Sequence, residues 1–184
     1  MQSPAAQLSD NRYWIRVSLG EQRLQALRGS HVLMSWPVST AVNGPGEERD
    51  SECTPRGWHC VRARIGAGCQ ANTVFVGRRP SGEIYSSELA QQFPDRDWIL
   101  TRILWLSGLE PGRNRLGKRD SMRRYIYIHG CPDDQPVGVP ASHGCIRMRN
   151  RDVTELFGMT PAYTPVLIQE GPLQPVAHEG AGVC

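Results

Sequence analysis

Residues Ile126 to Asn150 read IYIHGCPDDQPVGVPASHGCIRMRN, and the rest of the chain is organised around them. Strong β-formers from Tyr125 to His129 predict a strand that ends at Gly130. A loop rich in Gly and Pro follows, and Ser142-His143-Gly144-Cys145 then leads into a second short apolar segment. A cysteine thiol titrates near about 8.5, so at neutral pH it needs a base or a positive field to become a good nucleophile. His129 is the best partner for Cys145, because a chain returning beside the His129 strand brings imidazole and sulfur together. Gly144 permits close approach of the backbone, and N–H groups around His143, Gly144 and Cys145 form a candidate oxyanion hole. No Asp or Glu stands in an obvious place to orient His129, which leaves the adjacent Gly130 carbonyl as the expected restraint. Arg147 falls on the same side of a following strand as Cys145 and is a candidate clamp for a substrate carboxylate.

From the residues alone, two other readings stand beside this one. A buried structural cysteine and a satisfied histidine near a tight turn would leave the same trace. A metal site built from His129, Cys131, His143 and Cys145 is the second rival. No C-x-x-C or H-x-x-x-H pair supports it, and a glycine beside each candidate serves a catalytic loop better.

Working outward, Arg12 to Leu19, Gln22 to Arg28 and His31 to Val38 alternate apolar and polar positions between short turns, which predicts an antiparallel meander. Ser39 to Arg56 collapses into a polar, breaker-rich stretch, expected to be a long surface loop that acts as a lid or stays disordered. Gly57 to Ile65 and Asn72 to Gly77 read as strands. Ser86 to Phe93 reads as a helix with Ser86 or Ser87 capping, Glu88 in its first turn and Pro94 stopping it. Periodicity does not arbitrate the hydrophobic WILTRILWL from Trp98 to Leu106, and Ile99, Ile103 and Leu106 at helical spacing favour a mostly buried helix. Glu110 to Arg119 is a basic loop. Asn150 is expected to cap a helix from Arg151 to Phe157 that Gly158 terminates. Thr164 to Gln169 supplies a last strand, and Glu170 to Cys184 a loose surface tail.

The 184 residues suffice for one compact domain, and 14 Pro and 19 Gly favour a loop-rich β protein over a helical bundle. The formal charge is a mild +3 and almost all of the cations are arginine, Lys118 being the one lysine. Arginine's planar fork suits an acidic substrate or anionic polymer, although solvated surface arginine explains the composition equally well. No apolar run approaches the roughly 18 residues that span a bilayer, so a soluble chain without a transmembrane segment is expected. The opening MQSPAAQLSD lacks the basic start and apolar centre of a secretory signal, which suggests a cytoplasmic protein or one given without its export segment. The six cysteines form no tight pairs, and a disulfide between two of Cys53, Cys60 and Cys69 is conceivable in an oxidising compartment.

The H-G pair followed by S-H-G-C-I-R-M closely resembles the active-site signature of the L,D-transpeptidase catalytic domain, the YkuD or ErfK/YbiS/YcfS/YnhG family. WPVST at Trp36 to Thr40, Thr-Pro-x-Gly at Thr54 to Gly57 and TPV at Thr164 to Val166 look like the family's supporting segments in the right order, so the resemblance covers Tyr13 to Gln169. It implies a mostly β, sandwich-like catalytic domain with a few short helices. Residues 12–170 would form that domain, with an N-terminal extension at 1–11 and a flexible tail at 171–184. It implies Cys145 as acyl-forming nucleophile, His129 as general base and acid, and Gly130 as the carbonyl that orients it. His143 and Gly144 would shape the oxyanion site and Ser142 would support the loop. Neither cofactor nor metal is implied.

Family members act on peptidoglycan stem peptides. They attack the carbonyl of the diamino-acid third residue, expel the terminal D-Ala and pass the acyl group to an amine of another stem, giving a 3→3 cross-link. The implied place is the periplasm or cell envelope, with stem peptides as partner, a wall-anchored protein as a further candidate, and no nucleic acid. A carboxypeptidase or wall-amide hydrolase of the same fold is the alternative reading, and a non-enzymatic wall-binding or metal-holding module is the alternative of another class. Two departures from the pattern stand out. Cys131 replaces a small polar residue such as Thr, either pairing with Cys145 on oxidation or, as favoured, filling the space of that hydroxyl. Thr54-Pro55-Arg56-Gly57 follows a longer charged insertion, so substrate entry is expected to differ.

Overall fold

The computed structural model describes residues 11–174. The meander forms as expected: β1 (Tyr13–Ser18), β2 (Arg23–Arg28) and β3 (His31–Pro37) pair antiparallel in sequence order. β4 (Gly57–Ile65) follows the long loop, and β5 (Thr73–Val76) and β6 (Arg79–Ile84) form a hairpin. No local pattern announced β6, which is mostly exposed and pairs only with β5. Next come α1 (Ser87–Gln92), β7 (Leu100–Gly108), β8 (Tyr127–Cys131), β9 (Ile146–Arg149), α2 (Asn150–Met159) and β10 (Pro165–Gln169).

These strands make one curled mixed sheet in the order β3-β2-β1-β10-β4-β7-β5-β6, with β8 paired to β7 and β9 to β8. The β1–β10 and β8–β9 ladders are parallel. The mostly β expectation holds, with two short helices. Ser86 caps α1 through Leu89 N–H at 3.2 Å, with Glu88 in the first turn, as the sequence predicts.

Two helix expectations are corrected. WILTRILWL is strand rather than helix, because β7 lies between β4 and β8 and is covered on both faces. A strand buried on both sides needs apolar residues at consecutive positions, so its period-2 signal is erased. Asn150 does not cap α2. It is the first helical residue, its amide is drawn into the sheet instead, and Gly158 lies inside the helix, which ends at Met159.

The main core gathers Ile15, Val17, Leu104, Ile128, Ile146 and the inner face of α2, where Val153, Leu156 and Phe157 are buried. Each large aliphatic side chain withdrawn from water contributes roughly 1.5–3 kcal/mol. α2 thus clamps β7, β8 and β9 from one side. The Ser39 to Arg56 stretch is irregular yet anchored, with Ser39, Thr40, Ala41 and Thr54 buried and bridges from Ser39 to Arg147 and from Ala41 to Ser142. The first part of the expected loose tail is also held, since Ser18 Oγ donates to Gly171 O at 2.8 Å and Arg16 Nη1 to Gln174 O at 2.8 Å. The remainder of that tail lies outside the described residues.

Candidate active site

The loop between β8 and β9 returns the chain in parallel, with His129 paired to Arg147 and Ile128 to Ile146. Alternation along the strands puts the His129 and Arg147 side chains on one face, and Cys145, just before β9, projects toward that same face beside Tyr127. His129 and Cys145 are offset by two residues across neighbouring strands, a diagonal spacing of about 7–8 Å, and in the resting site Sγ is engaged by Tyr127 N–H and Tyr125 O rather than by the imidazole. The expected return of the chain is what the fold builds.

His129 is fully buried, and its Nδ1 lies 2.8 Å from Gly130 O. A carbonyl only accepts, so the proton sits on Nδ1 and Nε2 carries the free lone pair. That Nε2 is buried and has no hydrogen-bond partner. Gly130 is held in turn by its neighbours, since a Cβ there would stand 2.5 Å from Asn150 Oδ1 and 2.7 Å from the Leu100 carbonyl. Asn150 Nδ2 donates to Cys131 O at 2.9 Å and Thr101 Oγ1 donates to Asn150 Oδ1, tying β8 to β7 and α2. Thr101 adopts a φ of 68° at the irregularity in the β7–β8 ladder, a strained conformation for a β-branched residue.

Cys145 Sγ accepts from Tyr127 N–H and points its own proton at Tyr125 O, both at 3.4 Å. Burial pushes the thiol up to about 12, and burial likewise holds His129 below the usual histidine range. The resting pair is therefore a neutral thiol and a neutral imidazole, so an approaching carbonyl meets a base that is still free to take the sulfur's proton.

Around the nucleophile, Ser142 Oγ donates to Cys145 O and accepts from Gly144 N–H at 3.3 Å. Gly144 has a φ of 122°, a backbone state open in practice to glycine alone, and its N–H is taken by Ser142. Its contribution is thus conformational, and the donor role expected of it is not what this geometry provides. Thr54 Oγ1 donates to Gly144 O at 3.0 Å, and Arg124 Nη2 to Cys53 O at 2.6 Å, so the charged insertion packs directly on the cysteine loop. His143 is exposed and lines a pocket of about 290 Å³ with Arg49, Asp50, Arg123 and Tyr125. On the other side, Arg78 stacks over Trp105 and Tyr125, with its guanidinium carbon 4.6 and 5.0 Å from the ring centres, and donates to Tyr127 Oη at 3.2 Å.

The clamp expected of Arg147 is corrected. Its side chain is buried and committed internally, with Nη2 on Asp97 Oδ1 at 2.7 Å and Nη1 on Ala141 O at 2.9 Å and Gln135 Oε1 at 3.3 Å. Cys131 is free and buried, and its Sγ donates to Met148 O at 3.3 Å as a hydroxyl would. It stands four residues along β8 from Tyr127, about 13 Å at strand rise, whereas a disulfide needs Cα atoms within about 7 Å. Cys53, Cys60 and Cys69 are free as well. Among the described residues no three His, Cys, Asp or Glu side chains converge as a metal site, and no helix is long and apolar enough to cross a membrane.

Sequence reasoning missed Asp97, Thr101 and the role of Asn150. Asp97 lies 50 residues from Arg147, and nothing local in PDRDW announces the pairing. Thr101 was hidden by the helical reading of its segment.

Residues 12–168 match the YkuD family, described as the L,D-transpeptidase catalytic domain. A protein from Bacillus licheniformis described as "Putative L,D-transpeptidase YkuD" is 44% identical over 46 residues, which is 25% of this chain and 28% of the relative. An L,D-transpeptidase from Xylanimonas cellulosilytica superposes with a TM-score of 0.51 at 19% identity, over 91% of this chain and 64% of that one. L,D-transpeptidase 3 from Mycobacterium tuberculosis, carrying a faropenem-derived adduct, gives 0.52 at 16% identity over 86% and 60%. A cysteine-to-serine variant of the Enterococcus faecium enzyme gives 0.51 at 18% identity over 86% and 50%. The chain thus spans about half to two-thirds of these solved structures and just over a quarter of the curated relative.

Proposed function

Because the chain belongs to the YkuD family of L,D-transpeptidase catalytic domains, we propose that it is a cysteine acyltransferase working on peptidoglycan stem peptides in the cell envelope. The observation that carries this reading is the tethered imidazole: His129 gives its one proton to Gly130 O and keeps a bare, buried Nε2 on a strand position that shares its sheet face with Cys145.

Cys145 Sγ attacks the carbonyl of the third, diamino-acid residue while His129 Nε2 takes the thiol proton. The N–H groups of His143 and Cys145 receive the developing oxyanion, with the loop's shape held by Ser142, Gly144 and Thr54. His129 returns the proton to the departing amine of the terminal D-Ala, leaving a thioester on Cys145. An amine of a second stem then attacks the thioester, His129 accepts its proton, and Sγ leaves as the thiol is restored. The product is a 3→3 cross-link. The charged pocket beside His143 suits a substrate bearing both ammonium and carboxylate groups.

Incubation with tetrapeptide stems should release D-Ala and yield cross-linked dimer only when an acceptor amine is present. Cys145→Ala should abolish both. Full activity in Cys145→Ala would overturn the reading, and D-Ala release without any dimer at saturating acceptor would make the protein a hydrolase of the same fold.

A further inference from the structure

Arg147 presents a buried cation beside the one group that must gain a proton in the reaction. It is the register partner of His129, and its charge opposes protonation of that imidazole. Of the three groups its guanidinium is bonded to, Gln135 and the Ala141 carbonyl are neutral, and only Asp97 carries an opposite charge. Asp97 sits in the segment between α1 and β7, and its side chain is half-exposed at 47% where that of Arg147 is 8% exposed. Its charge is felt at both His129 and Cys145.

We propose that Asp97 is a positioning residue for acyl transfer: by closing an ion pair on Arg147 it offsets the cation that stands beside His129, so that His129 remains able to take the thiol proton. The assignment rests on the acyl-transfer reading given above. The charged groups acting on His129 are Arg147 from β9 and Asp97 from the segment before β7, while Cys145 faces these two together with Arg124 and the β8 residue Tyr127.

The chemistry predicts effects of opposite sign. Loss of the Asp97 carboxylate leaves Arg147 uncompensated, which disfavours the imidazolium and favours the thiolate. Direct alkylation needs only the thiolate, whereas acylation also needs His129 to accept and return a proton. A structural defect would lower both rates together.

The test compares wild type, Asp97→Asn, Asp97→Glu and the double variant Asp97→Asn/Arg147→Gln by two readouts across pH. One is iodoacetamide alkylation of Cys145, and the other is acylation by a carbapenem followed by intact mass. In Asp97→Asn the alkylation midpoint should move to lower pH by roughly one unit while acylation at pH 7 slows about 10-fold or more. Asp97→Glu should keep both near wild type, and the double variant should return the alkylation midpoint toward its wild-type position even if Asp97→Asn alone fails to fold. Unmoved profiles, or parallel losses with an unshifted midpoint, would overturn the assignment. A wild-type protein that takes no carbapenem would instead count against the acyl-transfer reading, and the alkylation profiles would still decide the role of Asp97.

Discussion

Two fully buried histidines in this molecule begin alike and end differently. His59 on β4 places Nδ1 2.9 Å from Gly57 O, and His129 on β8 places Nδ1 2.8 Å from Gly130 O. In both, burial is the main force holding the imidazole neutral. The far nitrogens separate them. His59 Nε2 meets Ser121 Oγ at 2.9 Å, and that hydroxyl lies 3.1 Å from Asn114 O, within a closed polar network that also fixes Arg56 and Trp58 carbonyls through Asn114 Nδ2. His129 Nε2 meets nothing. The same tether therefore serves structure where the second nitrogen is satisfied and reactivity where it is left open, and an open buried acceptor persists only because the surrounding structure holds it.

The sharpest way to break this comparison is to replace each imidazole in turn. His129→Gln should slow carbapenem acylation of Cys145 by about 10²–10⁴-fold with little loss of folded protein, whereas His59→Gln should leave the rate per folded molecule within a few-fold. Stopped-flow acylation alongside a thermal melt separates the two outcomes, and equal rate losses would erase the distinction.

Acidification probes the two imidazoles as folding groups. His59 is held down to about 4 in the folded protein against 6.5 for an unperturbed histidine. Above about pH 6.5 both folded and unfolded forms are neutral, so the group adds no pH dependence there. As pH falls from 6.5 toward 4 the unfolded chain gains the proton first, and stability should drop by about 3 kcal/mol, levelling off below pH 4. The lowered His129 acts in the same direction. Urea denaturation between pH 7 and 4 should show this slope, and it should flatten in His59→Gln.

Ser121→Ala would make His59 resemble its counterpart by stripping its Nε2 partner, and should cost about 1–3 kcal/mol of stability with acylation unchanged. The smallest effect is expected at Cys131→Ser. The Met148 O contact should survive, and acylation should stay within about threefold, since no step uses that thiol.

How much of this was legible beforehand differs by region for physical reasons. The meander, β4, β5, α1 and β10 announced themselves because one face or one cap dominated the local pattern. β7 did not, being buried on both sides, and β6 did not, being buried on neither. At the site, the placement of His129, Gly130 and Cys145 followed from a glycine-bounded strand and returning loop. Asp97, Thr101 and the inward turn of Asn150 come from distant segments and depend on register, which a single sequence does not print. Arg147 shows the same limit, since alternation placed it on the right face but could not reveal that a carboxylate 50 residues upstream already held it.

The most direct test of the Cys145–His129 account is intact mass after a short carbapenem pulse at pH 7. Wild type should gain one acyl adduct that maps to Cys145, Cys145→Ala should gain none, and His129→Gln should acquire it far more slowly. An adduct of equal yield in Cys145→Ala, or acylation undiminished in His129→Gln, would contradict the account.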